Sequence, residues 1–127
     1  MAGKIVYSNQ APDPIGPYSQ AVIAGNFLFS SGQIAIDKQT GKIVPGGVEE
    51  QTRQVLKNIQ AVLKSANLNI SDIVKVTIYL SDMNDFSTVN QIYTGYFDET
   101  KPARSTVEVR RLPKDVLIEI DCIACLE

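Results

Sequence analysis

The chain of 127 residues contains no histidine. That absence excludes a serine–histidine–acid triad, an imidazole general base and any histidine-ligated metal. Acid–base work near neutral pH then falls to carboxylates, tyrosine, lysine or cysteine. Cysteine is scarce as well: Cys122 and Cys125 stand in a C-x-x-C spacing. On a strand, residues three apart point to opposite faces. The pair is therefore expected to be two reduced strand thiols, not a disulfide and not a corner of a metal site. No apolar run reaches the length of a membrane span. The opening "MAGKIVYSNQ" lacks the apolar centre of a signal peptide, so a cytoplasmic protein is expected. Excess positive charge is missing too; a net charge of −2 argues against the whole molecule being a polyanion binder. No internal repeat, linker or low-complexity segment stands out.

What is present suits a soluble globular chain: 44% apolar and 20% charged residues. The length suggests one domain over residues 1–127, able to bury a core without staples. "QAPDPIGPYS" (10–19) holds three prolines and a glycine, which makes it an extended loop. "QAVIA" and "FLFSSGQIAI" flank Gly25-Asn26 and read as a tight hairpin; "DKQTGK" is a further turn. From Val48 to Ala66 the period becomes helical, with Val55, Leu56, Ile59, Val62, Leu63 and Ala66 on one stripe and Asn67 as a left-handed stop. "DIVKVTIYL" alternates as a strand with Val74, Val76, Ile78 and Leu80 on one face. Asp82, Asn84 and Asp85 offer caps for a second helix whose stripe is Phe86, Val89, Tyr93, Tyr96 and Phe97. The order of strands, helix, strand, helix, strands predicts an α+β fold, a mixed sheet with two helices packed on one face.

"KPARSTVEVRRLPKDVLIEI" (101–120) reads as a closing hairpin. Val116, Ile118, Ile120, Cys122, Ala124 and Leu126 share the core face, and Leu117, Glu119, Asp121 and Ile123 the other. On the partner strand, Ser105, Val107 and Val109 match the core. Arg104, Thr106, Glu108 and Arg110 then lie on the second face, beside Glu119. That face mixes leucine, isoleucine and charge, so a subunit interface with a shared cleft covers it better than water does.

Arg104 with Glu119 is the main constellation. It is either a cross-strand ion pair or an anion grip beside a catalytic carboxylate. Asn90 lies on the apolar side of the second helix and needs a hydrogen-bond partner, in a backbone cap or in a ligand. In "SSGQ" (30–33), Gly32 marks a bulge or a close backbone approach, and Ser31 could serve a ligand carboxylate. Tyr18 sits in a stiffened loop and either closes a pocket or plugs the core. "RRLPK" (110–114) is a small basic turn. Lacking interleaved aromatics and any RNA motif, it is read as a solvated turn, with ribonuclease activity the rival.

"IGPYSQA", "SSGQI", "NDFSTVN" and "PARSTVEVRRLPKDVLIEI" together resemble the Rid/YjgF family, in its RidA branch. The resemblance spans nearly the whole chain, and the last block is its most specific part. It implies a chorismate-mutase-like fold, homotrimers with ligand sites between subunits, and no metal or organic cofactor. It also implies hydrolytic deamination of reactive 2-imino acids, 2-iminobutanoate and 2-iminopropanoate, to 2-oxo acids and ammonia. By matched position, Arg104 would grip the substrate carboxylate and Glu119 would activate water. Ser31 and Gly32 would support the substrate, while Tyr18, Asn90 and Thr106 would line the cleft. Thr106 departs from the cysteine frequent there in the family, and the proposed hydrolysis needs no thiol. A small-carboxylate-binding module is the alternative, and a ribonuclease or translation inhibitor a lesser one.

Overall fold

Six strands and two α-helices, with three single-turn 3₁₀ segments between them, lie within residues 3–126, the part of the chain described by the computed structural model. In chain order they are β1 (Lys4–Val6), β2 (Ala21–Ala24), β3 (Phe27–Ser30), α1 (Val48–Ser65), β4 (Ile73–Leu80), α2 (Phe86–Phe97), β5 (Ala103–Glu108) and β6 (Ile118–Cys125). All six strands form one sheet in the order β1-β2-β3-β6-β4-β5. Only β4 and β5 run parallel; the other neighbours are antiparallel. Both helices cover the same face, giving the expected α+β architecture.

Local chemistry accounts for most of these elements. Gly25 adopts φ 59°, which lets β2 reverse into β3 in two residues. Helix α1 opens with the Glu50 carboxylate accepting from the Gly47 N–H at 2.8 Å, and it stops at Asn67, whose φ is 60°. Its stripe of Val55, Leu56, Ile59, Val62 and Leu63 is buried against Val76, Ile78, Leu80, Ile118, Ile120 and Cys122. Each such side chain contributes about 1.5–3 kcal/mol on burial. From α2, Val89, Ile92, Tyr93 and Phe97 complete this core. A bulge near the start of β4 alters the expected alternation. Ile73 turns inward and Val74 is left 43% exposed.

The proline-rich loop before β2 is held from beneath by one buried side chain. Gln20 accepts from the Ser8 N–H at 2.6 Å and donates to the carbonyls of Ser8 and Pro12 at 3.1 and 2.9 Å. Proline removes backbone donors from this loop, so a side-chain amide takes over the fastening.

The closing segment corrects the hairpin reading. Strand β5 pairs not with β6 but with β4, in parallel, after crossing over through α2; β4 therefore separates β5 from β6. Its register sets Arg104 against Val76 and Thr106 against Ile78. Arg104 and Thr106 thus stand on the helix-covered face, while Ser105 and Val107, expected in the core, are exposed on the open one. Glu119 pairs with Tyr79 and faces the open side, as expected. Five residues, 98–102, separate α2 from β5, which is enough for the chain to return and pair in parallel with the strand before that helix; the hairpin reading takes this crossover strand for a first arm. Leu126, also expected in the core, lies past the end of β6 and is exposed.

Candidate functional site

The wall of a cavity of about 390 Å³ is built where β3 gives way to the following segment. Four residues lead from Phe29 to Gln33, whereas three lead from Ile123 to Ile120, their partners on β6. One extra residue is thus accommodated as a bulge around Ser31-Gly32. The bulge carries Gly32 against the side chain of Glu119: a Cβ on Gly32 would lie 2.0 Å from Glu119 Oε2. Only glycine leaves the carboxylate that space. Ser31 donates its hydroxyl to the Ser19 carbonyl at 2.6 Å, and its N–H to the Gln20 carbonyl at 2.9 Å. These bonds tie the proline-rich loop to the bulge. Tyr18 hangs from that loop, its hydroxyl accepting from the Ile15 N–H at 3.3 Å. Tyr18, Ser31, Gly32, Glu119 and Asp121 share the cavity lining with Ile15 and Pro113.

The electrostatics of this half follow from burial without neutralisation. Neither Glu119 nor Asp121 belongs to an ion pair among the described residues. Partial burial, and then the charge of Asp121, raises the pKa of Glu119 above the ordinary glutamate value. Burial likewise raises that of Asp121, opposed by a hydrogen bond from the Tyr79 hydroxyl at 3.1 Å and by the charge of Lys75.

A second cluster lies on the other side of the sheet. Arg104 donates from Nη1 to Asn90 Oδ1 at 2.8 Å, and its guanidinium carbon sits 4.7 Å from the ring centre of Tyr93 and 5.5 Å from that of Phe86. Two aromatic rings and one amide fix the cation from α2. Arg104 takes part in no salt bridge among the described residues, so the ion-pair reading of Arg104 with Glu119 does not hold within one chain. Thr106 Oγ1 and the Tyr93 hydroxyl are buried without a hydrogen-bond partner. Asn90 is accounted for by Arg104 and caps nothing.

The site residues therefore fall into two groups. Tyr18, Ser31, Gly32 and Glu119 come together, and so do Asn90, Arg104 and Thr106. One group can move protons, the other can hold an anion, and the sheet lies between them. A larger groove of about 980 Å³ runs along the C-terminal ends of the two helices, but its acids, Asp98 and Glu99, are exposed and it holds no arginine. Perturbed carboxylates mark the smaller cavity as the better candidate. The basic turn after β5 is partly neutralised, with Arg111 Nε donating to Asp115 Oδ1 at 2.6 Å. No group of three or more histidine, cysteine or acidic residues suited to a metal ion occurs among the described residues.

Residues 8–126 match the family model described as endoribonuclease L-PSP. The chain belongs to the Rid/YjgF family. A RutC family protein of Pyrococcus horikoshii is 59% identical over 124 residues, covering 98% of each chain. TdcF of Escherichia coli K12, provisionally named a reactive intermediate deaminase, is 48% identical, covering 95% of each. The crystal structure of E. coli TdcF with bound serine aligns with a TM-score of 0.90 at 46% identity, over 96% of this chain and 98% of that one. The Rid/YjgF assignment agrees with the resemblance seen in the sequence blocks, and it attaches a reactive-intermediate deaminase to the group at a coarse level. Two residues of this Rid/YjgF chain escaped the sequence reading, Asp121 as a cavity acid and Tyr93 as the shelf for Arg104. The alternation that exposes Glu119 also exposes Asp121, so the signal for the first was there. The signal for the second was the i, i+3 spacing of Asn90 and Tyr93, legible only once β5 is known to run beneath α2.

Proposed function

We propose that the protein hydrolyses reactive 2-imino acids, such as 2-iminobutanoate and 2-iminopropanoate, to 2-oxo acids and ammonia. The site would be completed between copies of the chain in a homotrimer. One observation carries this reading: an unpaired, aromatic-braced arginine and an unpaired, partly buried glutamate lie on opposite faces of one sheet. Half-buried charges without partners are costly, and a ligand that meets both relieves both. A small substrate cannot reach through the sheet, so the arginine must come from one copy and the glutamate from another. The open face suits such packing. Phe27 and Phe29 are 42% and 44% exposed there, with Ile5 and Val107 on the same side. A ring of heterologous contacts would put Arg104 of each copy beside Glu119 of the next. The serine held by TdcF, an amino acid of similar size to the imino acids, supports a small carboxylate as the ligand.

In the reaction, Arg104 would take the substrate carboxylate in a two-point grip, with Asn90 fixing the guanidinium. The imine carbon is already electrophilic, most of all when its nitrogen is protonated. Glu119 would accept a proton as water adds to that carbon, then return it to nitrogen. Collapse of the carbinolamine breaks the C–N bond; iminium and water become the 2-oxo acid and ammonium, with atoms and charge balanced. Thr106 and Ser31 would line the ligand, and Tyr18 would close over it. No step calls for a metal or an organic cofactor. No helix among the described residues is long and apolar enough to cross a membrane; that the activity is cytoplasmic is part of the proposal.

The test is a coupled assay in which a threonine dehydratase generates the imine and 2-oxobutanoate formation is followed. Acceleration over spontaneous hydrolysis is expected. Arg104→Ala and Glu119→Gln should each lower it by about a hundredfold or more, yet an exchanged equal mixture of the two should regain about a quarter of wild-type activity, since about one interface in four then pairs two intact residues. No acceleration by wild type would leave a module that only binds small carboxylates. No recovery in the mixture would place both residues in one subunit's site and overturn the shared cleft.

A further inference from the structure

Asp121 has no part in the reaction as proposed, yet it shares the cavity with Glu119. The two lie two residues apart on one face of β6 and line the same wall. The groups facing Asp121 are Glu119 on its own strand, Tyr79, Thr77 and Lys75 on β4, and Tyr18 from the loop. Tyr79 donates to Asp121 Oδ2, while Lys75 Nζ reaches only the Thr77 hydroxyl, at 3.5 Å. No cation closes on either carboxylate among the described residues. Two partly desolvated carboxylates, with Lys75 acting on Asp121 only from beyond ion-pair distance, leave a wall of net negative charge that opposes a third anion and favours a cation.

We propose that Asp121 is a specificity residue which, with Glu119, makes this wall a receptor for a positively charged nitrogen. The inference rests on the deaminase reading and deepens it. The substrate is dipolar once its imine is protonated, with a carboxylate at one end and a cationic nitrogen at the other. Arg104 meets the first and the acidic wall meets the second. The 2-oxo acid keeps the carboxylate but presents a carbonyl oxygen to the wall in place of the nitrogen. It is therefore held less well and leaves. Asp121 thus separates substrate from product by charge, while the Tyr79 hydrogen bond favours its charged form against burial and aims it. It does not touch the carbon where bonds change.

The probes are 2-aminobutanoate, whose ammonium stands in for the protonated imine, and 2-oxobutanoate. Their affinities are measured by calorimetry on the assembled protein. Wild type should bind the amino acid at least about tenfold tighter than the oxo acid, the size expected of one nearby charge. Asp121→Asn, which keeps the shape and can still accept from Tyr79, should bring that ratio towards one and strengthen product inhibition by 2-oxobutanoate. Asp121→Glu should restore the preference. A merely structural aspartate would change melting temperature or oligomer mass and leave the ratio alone. A ratio unchanged in Asp121→Asn, or absent from wild type, overturns the proposal; with imine hydrolysis intact, the deaminase reading survives that result. Conversely, a preference that depends on Asp121 in a protein unable to speed imine hydrolysis supports the receptor and removes the deaminase.

Discussion

Arg104 shows how much of a side chain's role lies in what holds it. Its guanidinium is stacked on Tyr93 and tied to Asn90, so its remaining N–H groups are presented in a fixed plane. Lysine would keep the charge and lose that plane. Arg104→Lys is therefore expected to lose at least about tenfold in kcat/KM, since one charge-assisted hydrogen bond is worth roughly 1.5–3 kcal/mol and 1.36 kcal/mol is a decade. A trimeric Arg104→Lys protein of wild-type efficiency would remove the two-point grip. Glu119 lends itself to a different measurement. Burial and Asp121 hold its pKa above the ordinary value, so on raising pH the unfolded chain releases this proton before the folded one does. Stability falls through that window and stays lower above it. Glu119→Gln should thus melt no lower than wild type at pH 8, with any advantage shrinking towards pH 4, while turnover drops by about 10²–10⁴ as expected for a lost general base. Destabilisation of this variant at pH 8 would show that the carboxylate is paired in the assembled protein.

At the scale of elements, the bulge between β3 and the next segment decides where Glu119 can be. Gly32→Ala would place a methyl against the end of a flexible side chain, not against backbone. The fold should survive and the carboxylate should swing aside. Turnover is expected to fall by about a hundredfold with little change in melting temperature, since misplacement of about 1 Å can cost that much. Wild-type turnover in Gly32→Ala would show that the close approach has no catalytic purpose. This glycine was legible in sequence because glycine inside a strand pattern needs a reason. Helices α1 and α2 were legible because their apolar stripes recur at helical spacing, and the faces of β6 because its alternation is strict. What was not legible was the neighbour of β5. Its residues alternate equally well under either pairing, and with no large apolar side chain before Val107 nothing in Ala103–Thr106 selects a face. The same blindness hid the bulge at Val74, where two adjacent β-branched residues, Ile73 and Val74, can each fill the inward position. Candidate residues could thus be named one by one, whereas their division into two clusters depended on a strand pairing that hydrophobic pattern leaves undetermined.

For the whole molecule, the first expectation is a mass of about three chains by sedimentation equilibrium at micromolar concentration. A monomer that still hydrolyses imines would refute the shared cleft. The opposite facing of Arg104 and Glu119 also has a kinetic consequence. Neither cluster is expected to turn over substrate alone, so a dissociated chain has zero activity, not a reduced one. Specific activity is then itself a gauge of mass action. On dilution it should hold constant until the ring begins to come apart, and below that point total rate should fall as about the third power of protein concentration. Adding saturating 2-aminobutanoate, whose carboxylate and ammonium would engage both faces at once, should move that break to lower concentration. Ligand and assembly would thereby be linked, each tightening the other.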